Sequence, residues 1–532
     1  MSPSNLPTER AVVPDDALAA ALSEFADVVG PANVLVSEEA KQEFRDPFQP
    51  ARWDGLSAAA VVQPDSVEQI QQLVRIASRH NVPLWTQSQG RNNGYGGAAP
   101  RLSGSVTVNL RRMNKILEIN EELGYALVEP GVSFQQLYDE VQARGLRLMV
   151  SVPDLGWGSL VGNSLDHGTT YLPNGKDFMA PCGMEVVLAD GDLLRTGMGA
   201  QPGNASWNLY RRSYGPSLDQ LFMQSNFGIV TKMGVWLTPT VEKIMHVTVD
   251  VFAESDLVQL VDTLRRLRLD GTIDGVPCIF NTVVTASTLG PRSQWYDGDP
   301  GTPIPDAAID EIAKRLDMGR WMLRFALYGD EPVVDHNFAK ARAAFSRIPG
   351  ARVRGSKSSP EDGPNLPNPS DQVLAGVPNL AWAQMGGWYG GEHGGHMGFS
   401  PVVPLTGEKV YELHRFLRER VEAVGLDYAA DIIVINARSA VSVAGLSFDY
   451  DDEEATRAAY EIARQLVRDA GEIGYSEYRA HLNFMDLSAE QFSFNNHAYL
   501  RFVERIKDAV DPAGILSPGK QGIWPRSLRK PR

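Results

Sequence analysis

Cysteine is nearly absent. In 532 residues only Cys182 and Cys278 occur, far apart in the chain, which excludes a disulfide framework and a thiolate metal site and makes a reducing cytoplasm the simplest compartment. Positive charge is short as well: 50 Lys and Arg against 65 Asp and Glu leave a net charge of −15, which repels nucleic-acid phosphates and anionic lipid surfaces. No apolar run is long enough to span a bilayer. The opening MSPSNLPTERAVVPDD lacks the basic start and apolar core of a signal peptide, and the closing SLRKPR matches no anchor or peroxisomal address. No internal repeat, P-loop, Ser-His-Asp set or zinc-ligand cluster is visible. A cytoplasmic protein with no nucleic-acid or membrane role is expected.

What is present is enough apolar residue, 43%, to build large cores, in a chain long enough for two domains. From Ser57 the pattern reads strand, helix, strand: SAAAVVQP, then DSVEQIQQLVRIASRHN, then VPLWTQSQ. The helix places Val67, Ile70, Leu73, Val74 and Ala77 on one face, with Asp65 and Glu68 resembling a capping box. Further strands are expected at SVTVNL, YALVEPGV, MEVVLADG and IVTKMGVWL, so the first 240 or so residues form one α+β unit. MHVTVDVF and SDLVQLVDTLRRLRLD open a second alternation running to about residue 474, in which RGSKSSPEDGPNLPNPSD is expected to be a surface loop. The tail is a helix closed at Asp511-Pro512 and Gly514, then a turn carrying Lys520.

Several stretches could carry chemistry. QGRNNGYGG follows a strand as phosphate loops do, but a strand rather than a helix comes next, so an anion there would need a nest of backbone N–H groups; a plain surface loop is the alternative. PDLGWGSLVGNSLDHG spaces Gly156, Gly158 and Gly162 for close backbone approach, and QSNFGIVTKMG could line the same cleft. Asp154 reads either as a turn residue or as a functional carboxylate. Tyr478, Arg479 and His481 in YSEYRAHLNFMD are a surface group at a strand end or an anion site. In GGEHGGHMGFSP, His393 and His396 have three readings: metal ligands, loop histidines bonded to carbonyls, or one imidazole attached to something large and flat.

Taken together, GRNNGYGGAAPRLSGSV, VPDLGWGSLVGN, MEVVLADGDLLRTGMGA, QSNFGIVTKMG, GGHMGFSP, EYRAHLNFMD and DPAGILSPGKQGIW resemble the vanillyl-alcohol oxidase family of flavoproteins, in particular its bacterial eugenol-oxidase-like members, over about residues 57 to 525. The resemblance implies an α+β fold with an FAD domain in two pieces, residues 1–243 and 475–532, and a cap domain, residues 244–474. It implies FAD bound covalently through His396, with His393 outside the shared motif and no metal. Cofactor contacts are implied at Gln89, Gly90, Arg91, Asn92, Asn93, Gly94, Gly96 and Gly97; at Pro153, Leu155, Gly156, Gly158, Ser159, Gly162 and Asn163; and at Glu185, Gly228, Ile229, Val230 and Lys520.

The implied reaction is oxidation of 4-alkyl-, 4-allyl- or 4-hydroxymethylphenols. The phenol binds as phenolate to Tyr95, Tyr478 and Arg479, hydride leaves the benzylic carbon for flavin N5, and a quinone methide results. Asp154 acts on that step and on the water that follows, while Tyr171 and Arg438 belong to the substrate pocket. Reduced flavin is expected to pass electrons to O₂, giving hydrogen peroxide, in a homodimer or higher homo-oligomer. The alternative is a dehydrogenase serving a cytochrome or other acceptor; related cytochrome-linked methylhydroxylases attach FAD through tyrosine, so a histidine leans toward oxidase. Where relatives often carry Arg-Glu-Met-His-His, this chain has ARSAVSV, Ala437 to Val443, from which a smaller and less polar pocket wall is expected.

Overall fold

A computed structural model describes residues 11, 13–50, 55–174 and 179–529. The terminal stretches read for targeting signals fall largely outside the described residues. The architecture is α+β. The strand–helix–strand unit forms as Ala60–Val62, Val67–His80 and Leu84–Gln87, with Ile70, Leu73, Val74, Ile76 and Ala77 of the helix buried. Its two strands are not neighbours, because Val106–Asn109 inserts between them, parallel to both. The expected capping box shifts by one residue: Ser66 Oγ accepts the Gln69 N–H at 3.3 Å, and Gln69 Oε1 accepts the Asp65 N–H at 2.8 Å. Ser66 is thus the N-cap, and the Gln69 side chain reaches back past it to the N–H of Asp65.

A second sheet gathers five further strands of the first unit in the order Ile116–Asn120, Tyr125–Val128, Ile229–Trp236, Pro181–Val187, Leu193–Arg195, all antiparallel. The third sheet is the largest. It runs Arg352–Ser358, Lys243–Val251, Trp321–Gly329, Cys278–Asn281, Ala429–Ile433, Ser439–Asp449, Gly394–Phe399, with Val402–Pro404 also paired to Ser439–Asp449. The surface loop expected around residues 354–371 is in part an edge strand, Arg352–Ser358. Its polar composition suits an exposed edge, where Arg352 and Arg354 pair with the buried Asp250 of the neighbouring strand.

The C-terminal segment returns to the first sheet. Leu84 N–H bonds the Ile515 carbonyl and Ser517 N–H bonds the Leu84 carbonyl, both at 2.7 Å. The fully buried Lys507 locks this return, donating to the carbonyls of Asn226 and Leu516 and pairing with Asp511, each at 2.7 Å. Cys182 and Cys278 are free and buried. Among the described residues no helix is long and apolar enough to cross a membrane.

Candidate active site

The glycine-rich loops, so distant in sequence, meet around one cavity of about 360 Å³. It is lined by Gln89, Gly90, Arg91, Asn92, Asn93 and Gly97, by Pro153, Leu155, Gly158, Ser159, Gly162 and Asn163, and by Gly228, Ile229, Val230 and Lys520. Gly162 lies so close to the first loop that a Cβ there would sit 2.3 Å from Ser88 Oγ. Lys520 reaches Asp166 at 3.0 Å and so ties the C-terminal turn to the second loop.

Three of the implied contacts lie outside the lining of this cavity. Gly94 faces His396, Gly96 receives Leu482, and Gly156 receives Pro378. Glu185 is not among the lining residues: Arg195 at 2.8 Å and Lys232 at 2.7 Å, from the two neighbouring strands, hold its carboxylate, and their hydrogen bonds keep its pKa low against burial. Arg438 is also outside the lining; it is exposed on the turn between Ala429–Ile433 and Ser439–Asp449, and its carbonyl accepts the Leu405 N–H.

Tyr95, Tyr478 and Arg479 converge. The Tyr478 hydroxyl is hydrogen-bonded to Tyr95 and Arg479, and burial drives its pKa far above that of an ordinary phenol. The Arg479 guanidinium stacks over the Tyr95 ring at 4.4 Å and donates to Asn92 Oδ1. Tyr95 in turn lies 3.1 Å from Ser400 Oγ. All three line the cavity.

Asp154 forms a second polar centre in the same cavity. Its Oδ2 accepts the Tyr171 hydroxyl, and its Oδ1 lies 3.4 Å from Arg324 Nη1. Arg324 is buried, with Tyr171 and Phe280 packed on its guanidinium at 4.7 and 5.0 Å. Asp431 completes the group: burial, then the Asp154 charge, push its carboxyl up to about 8 against the pull of Arg324. It shares a strand face with Ile433, which lines the cavity, and stands directly across from Val443. The strand beside ARSAVSV therefore carries an acid, although Asp431 itself is not among the residues that line the cavity. Arg324 and Asp431 were not singled out from sequence. The one signal available was an arginine inside the otherwise apolar WMLRFAL, since a charge in a buried strand requires a partner.

The two histidines have different surroundings. His393 is exposed and pairs with Asp451 at 3.0 Å. His396 lies on Gly394–Phe399 beside the Phe48 ring at 5.1 Å, and burial lowers its pKa to about 4, with Asp46 opposing. A Cβ on Gly94, whose φ is +75°, would sit 3.0 Å from His396 Nε2, so glycine is needed there. Among the described residues no group of three His, Cys, Asp or Glu is placed to hold a metal.

Two family models match the chain: an FAD binding domain at residues 58–197 and the C-terminal domain of FAD-linked oxidases at residues 379–521. The 4-cresol dehydrogenase [hydroxylating] flavoprotein subunit of Pseudomonas putida is 37% identical over 505 residues, 94% of this chain and 95% of its own. The structure of 4-ethylphenol oxidase from Gulosibacter chungangensis, in complex with isoeugenol, superposes with a TM-score of 0.92 at 38% identity, covering 98% of this chain and 100% of that one. Substrate-bound p-cresol methylhydroxylase gives 0.91 at 36% identity, covering 97% and 99%. The chain belongs to the vanillyl-alcohol oxidase and p-cresol methylhydroxylase family. As a member of that family it is an FAD-linked oxidoreductase.

The cavity fits the family's cofactor. Among the described residues, the Gln87 side-chain amide, the hydroxyls of Thr169 and Ser225, the Asn226 side-chain oxygen and His396 Nδ1 are buried without a hydrogen-bond partner. All but His396 belong to residues that line the cavity. Buried polar atoms are rarely left unpaired, so this set marks the place of a polar ligand.

Proposed function

We propose that this protein oxidises para-substituted phenols, bound as phenolates, by removing hydride from the benzylic carbon, with O₂ as the final electron acceptor and hydrogen peroxide as product. The observation that carries the reading is the convergence of Tyr95, Tyr478 and Arg479 on one cavity. Bound FAD supplies the hydride acceptor. The chain's own residues select and prepare the substrate. A phenol with a pKa near 10 is mostly neutral at pH 7, so holding it ionised requires about 4 kcal/mol from the site. Arg479 supplies positive charge. Because burial raises the pKa of Tyr478, that side chain keeps its proton and donates, leaving the substrate as the phenol that ionises.

A phenolate pushes electron density toward its para carbon, which lowers the barrier to hydride loss and leaves a quinone methide. Asp154, positioned by Tyr171 and Arg324, stabilises the charge redistribution and accepts a proton from the water that adds. Residues 244–474 act as a cap over a flavin domain built from residues 1–243 and 475–532. Screening purified protein against 4-alkyl-, 4-allyl- and 4-hydroxymethylphenols while recording peroxide tests the reading; near-stoichiometric peroxide is expected. The similarity to a 4-cresol dehydrogenase supports a second reading, electron transfer to another acceptor. Turnover with an artificial electron acceptor but negligible peroxide in air would establish it.

FAD is joined covalently to a ring nitrogen of His396 in this reading. The low pKa keeps the imidazole neutral near pH 7, as a nitrogen nucleophile must be, and Nδ1 has no protein partner. Denatured wild-type protein is expected to keep its flavin fluorescence on a gel. His396→Ala should lose that fluorescent band entirely while still binding FAD when folded; flavin released from denatured wild type would refute the linkage.

A further inference from the structure

Tyr478 and Arg479 are neighbours in the chain, so a single peptide group joins the two donors of the anion site, and that group is held from outside. Its carbonyl, that of Tyr478, accepts the Gln224 side-chain N–H at 2.7 Å. On the other side of Tyr478, its own N–H bonds the Ser400 carbonyl at 3.2 Å. With both backbone polar groups of Tyr478 pinned, rotation about its φ and ψ is restricted, which sets where its phenol ring points and where the Arg479 side chain begins.

Gln224 opens the third glycine-rich segment, QSNFGIVTKMG, and lines the cavity beside Ser225 and Asn226, whose side chains carry two of the unpaired polar atoms that mark the cofactor's place. Its own N–H bonds the Leu165 carbonyl at 2.7 Å, at the end of the helix Leu160–Leu165. Its φ is +43°, in the left-handed region that glutamine rarely adopts. A residue serving only this turn would be glycine, which takes that φ freely. A glutamine held in a strained conformation points instead to a task for its side chain, and that side chain reaches the peptide between the two donors. We propose that Gln224 is a positioning residue of the phenol site: its amide fixes the peptide between Tyr478 and Arg479, so that a loop lining the cofactor cavity sets the aim of both donors. The proposal rests on the phenolate reading above.

Glutamine is uncharged, so its effect on a bound phenol runs through the geometry of the donors alone. Hydrogen bonds to an anion are about twice as strong as those to a neutral oxygen, and all of them weaken steeply when misaligned. Loss of the Gln224 bond therefore weakens binding of the phenolate more than binding of the neutral phenol. The pH at which the bound ligand ionises should rise.

Two variants remove the bond in different ways. Gln224→Met keeps the length of the side chain and loses the donor, whereas Gln224→Gly loses the side chain but suits a φ of +43°. Flavin-loaded wild type and both variants are titrated with isoeugenol from about pH 5.5 to about pH 9.5, and the near-ultraviolet difference spectrum reports whether the bound ligand is phenol or phenolate. Isoeugenol serves because the carbon next to its ring is already doubly bonded, so it binds without giving up hydride. Both variants should bind it about tenfold more weakly than wild type at pH 7, the size of one hydrogen bond, and its ionisation on the protein should move up by about one pH unit. A merely structural role would lower the yield of folded protein and leave that ionisation where wild type has it. Ionisation unchanged in either folded variant, or glycine binding isoeugenol as tightly as wild type, overturns the proposal. Wild type separates the two levels. If isoeugenol ionises at lower pH on wild type than when free, the phenolate reading stands and the variants decide the role of Gln224; if it ionises no more readily, both readings fall.

Discussion

Asp154→Asn is expected to slow flavin reduction by ~10²–10⁴-fold while leaving phenol affinity close to that of wild type, the size typical of a positioned acid–base group. Asparagine keeps the volume of the side chain and an oxygen for the Tyr171 hydroxyl, so it isolates the charge. That charge is not idle in a turn. It lies 3.4 Å from the buried Arg324 and raises the pKa of Asp431, which stays protonated at pH 7. In the proposed reaction, two carboxyl groups around one guanidinium, with Asp431 held protonated, would take up the proton released by the water that adds. Anaerobic stopped-flow absorbance with a 4-alkylphenol measures the rate directly. An unchanged rate would reduce Asp154 to a structural anchor for Tyr171 and Arg324.

Arg479→Ala should cost ~10²–10³-fold in turnover and weaken phenol binding as well, as loss of a preorganised donor to a developed negative charge does. Two neutral hydroxyls remain after the substitution, but the cation that makes ionisation of the substrate affordable is gone. The side chain also packs over the Tyr95 ring and holds Asn92, so part of the loss comes from a looser donor set. Arg479→Lys separates the contributions. Lysine restores charge without the planar fork and is expected to recover only part of the activity. Steady-state kinetics on both variants checks this, and full recovery by lysine would mean that charge alone matters.

Sequence reasoning located the loops of this site better than the side chains around it. Glycines at 90, 97, 158, 162 and 228 line the cavity, and the loops that carry them stood out by their density of glycine. The helix Val67–His80 was legible from its apolar period, but its cap was misplaced by one residue, since Asp65 and Ser66 are both competent caps. Sheet order was not legible. Nothing local says that Val106–Asn109 slides between two strands of a βαβ unit.

The same limit hid Arg324 and Asp431, which meet only because of register: Arg324 lies opposite Cys278, and Phe280 opposite Asp431, in adjacent strands. Motif matching does not say which way a side chain turns. Glu185 pairs with Lys232 and Arg195, Arg438 is exposed, and neither lines the cavity, although both sit in or beside family-like segments.

The central claim is that the substrate must ionise at its para-oxygen. Anaerobic mixing of the protein with 4-ethylphenol, and separately with its methyl ether, 4-ethylanisole, tests it most directly, with flavin absorbance as the readout. The ether has the same benzylic carbon but cannot form an anion, and its methyl group would leave Tyr95, Tyr478 and Arg479 without the acceptor they converge on. The account predicts rapid bleaching by the phenol and essentially none by the ether. Comparable bleaching by both would contradict it and place the chain among flavoenzymes that oxidise a benzylic carbon without phenolate activation.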